Sequence, residues 1–76
     1  MNKSNVRYVL NSATLRLSED TVVDTYGLDI IRDGAKVKSY YDIFLDRKKV
    51  EELVKMCNEL DVSPLHIPEI LEDILP

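Results

Sequence analysis

The chain has little of what small proteins commonly use to brace themselves. A single cysteine, Cys57, rules out an internal disulfide. It also rules out a zinc site of the usual kind, which draws on four Cys or His ligands, because His66 is the sole histidine. No apolar run approaches the ~20 residues of a membrane-spanning helix. The N-terminal stretch MNKSNVRYVLNSA lacks the apolar segment of a signal peptide. The expectation is a cytoplasmic protein in a reducing compartment, with no membrane partner. Positive charge is also outnumbered, ten Lys and Arg against fourteen Asp and Glu. Net charge is −4, and the longest basic run, Arg47-Lys48-Lys49, reads as a solvated helix face. A protein that grips nucleic acid needs clustered Lys and Arg to neutralise phosphates, so no nucleic-acid partner is expected. There is no glycine-rich phosphate loop, metal constellation, nucleophile elbow or paired-carboxylate motif. This argues against an enzyme and implies no cofactor.

What is present suits one folded domain spanning residues 1–76. Apolar residues make up 45% and charged residues 32%. A chain this short buries only roughly 60% of its unfolded surface. With disulfides and zinc removed, self-association is the stabiliser left open.

Residues 5 to 46 are rich in Val, Ile, Tyr, Thr and Leu in period-two alternation, the strand signal. Residues 46 to 75 have helical spacing. Asp33-Gly34 lies between two alternating runs and supplies the positive φ angles of a two-residue hairpin turn. That turn predicts Ile30 facing Val37, Leu28 facing Ser39, Tyr26 facing Tyr41 and Val22 facing Leu45 on one apolar face. Asp29 then meets Lys38, and Gly27 meets Tyr40, on the other. Gly27 either lets the Tyr40 ring lie across bare backbone or marks a bend or bulge.

The first strand changes phase. Val6, Tyr8 and Leu10 alternate in one set, Ala13, Leu15 and Leu17 in the other. A β-bulge at Asn11-Ser12 would restore the facing, pairing Tyr8 with Ile30, Leu10 with Leu28, Ala13 with Tyr26 and Leu17 with Val22 around a turn at Ser18-Glu19-Asp20-Thr21. The alternative is a separate hairpin at Asn11-Ser12. It would oppose Arg7 and Arg16 and lacks a turn glycine, so the bulge is favoured.

Asp46 is a good N-cap for a helix reaching about Leu60, with Val50, Leu53, Val54, Cys57 and Leu60 as its apolar stripe. Cys57 reads as a core residue rather than a nucleophile. Ser63-Pro64 begins a short turn over residues 64 to 66. Pro68 disfavours α geometry at Ile67, so a break is expected, then a last helix with Ile67, Ile70, Leu71, Ile74 and Leu75 inward. The fold class is α+β: a three-stranded antiparallel meander, its first strand bulged, followed by two helices packed on one sheet face.

Tyr26-Gly27 in one strand, Tyr41-Asp42-Ile43 in the next, Asp46 opening a helix, then Ser63-Pro64-x-His66 and Glu72-Asp73-x-Leu75 form an ordered set over residues 26 to 75. This set resembles a group of short bacterial proteins catalogued as a domain of unknown function. The resemblance implies a bacterial cytoplasmic setting and brings no activity, ligand or catalytic residue.

Three classes of function compete. An interaction module would use the second sheet face, where Val23, Ile31, Tyr40 and Phe44 make an apolar set that nothing in a two-layer domain covers. It would bind a protein partner or a second copy of itself, through this face or a strand edge. An acidic regulator would present Glu59, Asp61, Glu69, Glu72 and Asp73 to a basic surface. An enzyme would need His66, at the joint between helices, to work with Cys57, Ser63 or Asp24, and nothing in the spacing brings them together.

Overall fold

The computed structural model describes residues 5–75. Three antiparallel strands, β1 (Val6–Arg16), β2 (Val22–Arg32) and β3 (Ala35–Phe44), form one sheet in the order β1-β2-β3. Helix α1 (Arg47–Glu59), a 3₁₀ turn (Pro64–His66) and helix α2 (Ile67–Ile74) follow. The α+β meander with two trailing helices is therefore the fold. Both helices lie on the sheet face that carries Tyr8, Leu28 and Ile30, against which Leu53, Cys57, Ile67 and Leu71 pack.

The β1–β2 register is uninterrupted over eleven pairs, from Val6↔Arg32 to Arg16↔Val22. Tyr8↔Ile30 and Leu10↔Leu28 are as the apolar pattern predicts, but the expected bulge at Asn11-Ser12 is not there. Ala13 pairs with Thr25 and Ser12 with Tyr26. The change of phase is real: the second apolar set of β1 points away from the helices. The turn is tighter than expected: Arg16, and not Leu17, pairs with Val22, and the Leu17 amide donates to the Thr21 carbonyl at 2.9 Å, as the register without a bulge requires.

The irregularities lie in β3 instead. Asp33 and Gly34 have φ of 52° and 81°, the paired positive angles of the predicted turn. Arg32↔Ala35 and Ile31↔Lys36 follow from it. Register then shifts, so Ile30 faces Lys38 rather than Val37, Asp29 faces Ser39, and Leu28 faces Tyr40. A second shift opposite Gly27 leaves Tyr26 facing Phe44 and places Asp42 at φ 56°. An aspartate tolerates that left-handed conformation better than most residues. The shifts exchange the faces of β3. Tyr40 and Phe44, expected on the second face, pack against the helix-side core, while Val37 and Tyr41 are exposed.

Asp46 caps α1 by accepting from the Lys48 amide at 3.0 Å. Val50, Leu53 and Cys57 are buried, but Leu60 is exposed, since the helix has ended before it. The exit is a Schellman turn: Asp61 sits at φ 49°, its amide donates to the Asn58 carbonyl, and the Val62 amide donates to the Cys57 carbonyl at 3.0 Å.

Ser63 Oγ accepts from the Leu65 amide, opening the short turn. No break follows it. Ile67 is α-helical at φ −60° and ψ −46°, and the turn runs directly into α2. Pro68 falls in the first turn of α2, where its missing N–H breaks no helical bond. Burial of Ile67 in the core outweighs the bias of the residue before proline.

The molecule is long, with extents of 53 × 26 × 18 Å. Its radius of gyration is 13.5 Å; a compact chain of this length would have about 11.4 Å. The helices cover only the base of the β1–β2 hairpin, and the rest projects as an arm.

Candidate functional site

The arm is one of the places where apolar surface is left uncovered; Val37, Tyr41, Leu45, Leu60 and Leu65 are exposed elsewhere. In the straight register Ala13 and Leu15 of β1 share a face with Thr25 and Val23 of β2. Leu17 continues the same phase. Leu15 is 39% and Leu17 60% exposed. Val22 is also exposed, on the opposite face beside Arg16. Of the expected surface, Val23 and Ile31 lie on the second face and are half-buried, whereas Tyr40 and Phe44 belong to the core side. The bulged strand expected from the sequence would turn Ala13, Leu15 and Leu17 inward; the straight strand turns them to the second face. Their alternation in the opposite phase was the signal that could have found them.

Between the arm and the hairpin base, the second face holds a polar cluster. Asp29 Oδ1 accepts from Asn11 Nδ2 at 2.9 Å and from Ser39 Oγ at 2.7 Å. Lys36 Nζ lies 3.6 Å from Asp29 Oδ2. Asn11 Nδ2 also reaches the Tyr40 carbonyl at 3.3 Å, crossing β2 above Gly27. Its Oδ1 is buried against Gly27 with no donor among the described residues. The cluster thus ties β1 to the shifted β3 across the one position of β2 that has no side chain. The close approach at Gly27 is by the Tyr40 carbonyl and not by the Tyr40 ring.

Burial pushes the Asp29 carboxyl up, but the hydrogen bonds from Asn11 and Ser39, with the Lys36 ammonium, outweigh it and hold the group below its ordinary value of 3.8. Such an acid stabilises the fold above its unfolded pKa, and that contribution is lost as pH falls through the folded value. Two groups act at the other limit. Burial raises Cys57 above 9.0, and burial, helped by Cys57 and Asp61, raises Tyr8 above 10.0. Their neutral forms are favoured in the folded state, so their contribution is complete below those values and is lost as pH rises through them. The urea midpoint should therefore be flat from about pH 5 to 8 and fall on both sides. Cys57→Ala should make the alkaline limb shallower; an unchanged limb would remove Cys57 from it.

The outer edge of β1 is treated differently along its length. Odd-numbered residues bond to β2, as the Leu17 amide shows, so even-numbered residues turn their backbone groups outward. At Tyr8 both groups are taken: its amide donates to Asn58 Oδ1 at 2.8 Å, and Asn58 Nδ2 donates to its carbonyl at 2.9 Å. The Tyr8 hydroxyl donates to the Val62 carbonyl. One side chain of α1 thus replaces a neighbouring strand. Beyond it, the outward groups of Leu10, Ser12, Thr14 and Arg16 meet no backbone partner among the described residues.

His66 and Asp24 are not brought together. His66 is exposed, with Nδ1 3.8 Å from Glu69 Oε2. Among the described residues its ring bonds no backbone group, and it is no part of the core packed on the sheet. Asp24 is on the arm, accepting from Thr14 Oγ1 at 3.4 Å. Leu65, next to His66, is 86% exposed. Among the acidic residues, Glu59 pairs with Lys55 at 3.8 Å, and Asp61, Glu69, Glu72 and Asp73 are exposed. Among the described residues no group of three or more His, Cys, Asp or Glu could hold a metal ion, and no helix is long and apolar enough to cross a membrane. A shallow apolar groove of about 390 Å³ runs between Phe44, Leu53, Met56 and Ile74, with the Lys49 ammonium 5.4 Å above the Phe44 ring.

No curated protein and no solved structure matches the chain. Over residues 1–76 the chain matches, and belongs to, a family of unknown function, DUF6514.

Proposed function

We propose that the chain is a protein-interaction module that binds through the projecting β1–β2 arm. One observation carries this reading: β1 changes apolar phase without a bulge. A strand serving only the core would keep Ala13, Leu15 and Leu17 on the helix side; here they face outward with Val23. Contiguous exposed apolar surface on a small folded domain is characteristic of partner surfaces. The buried free thiol of Cys57 suits a reducing, cytoplasmic setting. The exposed His66, whose close charged neighbour is Glu69, supports binding rather than catalysis.

Replacing Leu15 and Leu17 together by serine tests the reading. Neither residue packs on the core, so the melting midpoint should move by no more than the ~0.5 kcal/mol usual for a surface site, applied to each. Complexes trapped by chemical cross-linking in the native host should disappear. A double variant that retains every cross-linked species would sink the proposal.

A further inference from the structure

Resting on that reading, the geometry points to a definite occupant of the β1 edge: the β1 strand of a second copy of this chain, paired antiparallel about a two-fold axis at Ala13. The two outer edges of the sheet are unlike. The β3 edge is interrupted by two register shifts and carries Lys36, Lys38 and Asp42. Shifts and charges of this kind are what proteins use to keep edges from pairing. The β1 edge has no register shift, and its two charges, Arg7 and Arg16, lie towards its ends. It holds eleven residues in unbroken register and, from Leu10 to Thr14, contains no proline and no charge.

The free length is bounded at both ends. Asn58 occupies the Tyr8 amide and carbonyl, and the strand ends at Arg16. Outward backbone groups remain at Leu10, Ser12, Thr14 and Arg16, and these are symmetric about Ala13. An antiparallel copy in the register that uses all of them sets Ser12 against the partner's Thr14 and Leu10 against the partner's Arg16. Counted in both directions this makes four narrow pairs of two bonds each, about eight main-chain hydrogen bonds. Shifting by two residues in either direction loses pairs, to the Asn58 cap at one end or the turn at the other. On the second face the same register places Ala13 beside the partner's Ala13, Leu15 beside the partner's Asn11, and Leu17 beside the partner's Val9. No like charges are opposed. The exposed Val9 and Leu17 cover one another, and the two sheets merge into one of six strands.

Two variants test this. Ser12→Pro removes an outward N–H and leaves the β1–β2 bonds intact, a placement proline tolerates on an edge. Light scattering of the wild type should give twice the chain mass of 8.8 kDa. Ser12→Pro should halve that value with an unchanged circular-dichroism spectrum. Independently of that fold, Ala13→Cys under mild oxidation should form a disulfide-linked dimer several-fold faster than Leu15→Cys, because only Ala13 meets its own copy. A wild-type monomer, or equal cross-linking at the two positions, would overturn the inference. If the wild type is monomeric while the Leu15 and Leu17 substitutions still abolish complexes in the host, the dimer falls and the interaction reading stands. If neither is seen, both fall.

Discussion

Gly27→Ala should destabilise the fold by about 3 kcal/mol or more, at the upper end of overpacking effects. For a domain of this size that is a fall in melting midpoint of at least about 12 °C. The added methyl would meet the Tyr40 carbonyl oxygen and carbon and lie 2.9 Å from Asn11 Oδ1. Two of those atoms are backbone and cannot rotate away. Relief requires β3 to move off β2, and that movement would break the Asn11 bond to the Tyr40 carbonyl and loosen the shelter around Asp29. Gly34→Ala makes a useful contrast. No atom lies within 4 Å of a Cβ there, and its penalty comes from the left-handed backbone alone, φ 81°. Thermal denaturation of the two variants side by side separates a steric clash from a conformational cost. Equal midpoints would refute the crowding at Gly27.

Asn58→Ala is expected to cost about 2 kcal/mol, because it strands a backbone donor and a backbone acceptor at once. The midpoint should drop by about 8–16 °C. The signature is local as well as global: the Tyr8 amide should lose protection in hydrogen exchange well before Ile30, its partner across the ladder. Asn58→Asp keeps an acceptor for the Tyr8 amide and loses the donor for its carbonyl, so it should not restore the wild-type midpoint. If Asn58→Ala melts within 2 °C of wild type, an effect well under 1 kcal/mol, then solvent satisfies Tyr8 and the cap is dispensable.

Local chemistry was legible in the sequence wherever a residue acts on its own neighbours. Asp33-Gly34 dictated a turn through its backbone angles. Asp46 and Ser63 dictated caps through side-chain oxygens. Pro64 and Pro68 marked two helical starts, although the break expected between them does not occur. The long-range register was less legible, for a physical reason. A two-residue turn fixes only the pairs beside it, and Lys36 to Tyr41 offers no strong apolar alternation to reject a shift. Gly27 and Asp42, lying across from each other, were the available clue. One side needed room and the other a left-handed angle. β1 misleads for a different reason: both apolar phases are plain in the sequence, and a bulge follows only from the premise that every apolar residue serves the core. Asn58 carried no sequence signal, since its role depends on where the end of α1 lands relative to an edge fifty positions earlier.

The unbulged change of phase in β1 also bears on how the chain can vary. Val6 and Tyr8 are answerable to the helices, and Ala13, Leu15 and Leu17 are not, although one straight strand carries both. Substitutions in the arm can therefore accumulate without taxing the core, and the core can be repacked without redrawing the arm. In this chain the demands of the core and those of the exposed arm are separable along a single strand, with Asn11 at the boundary.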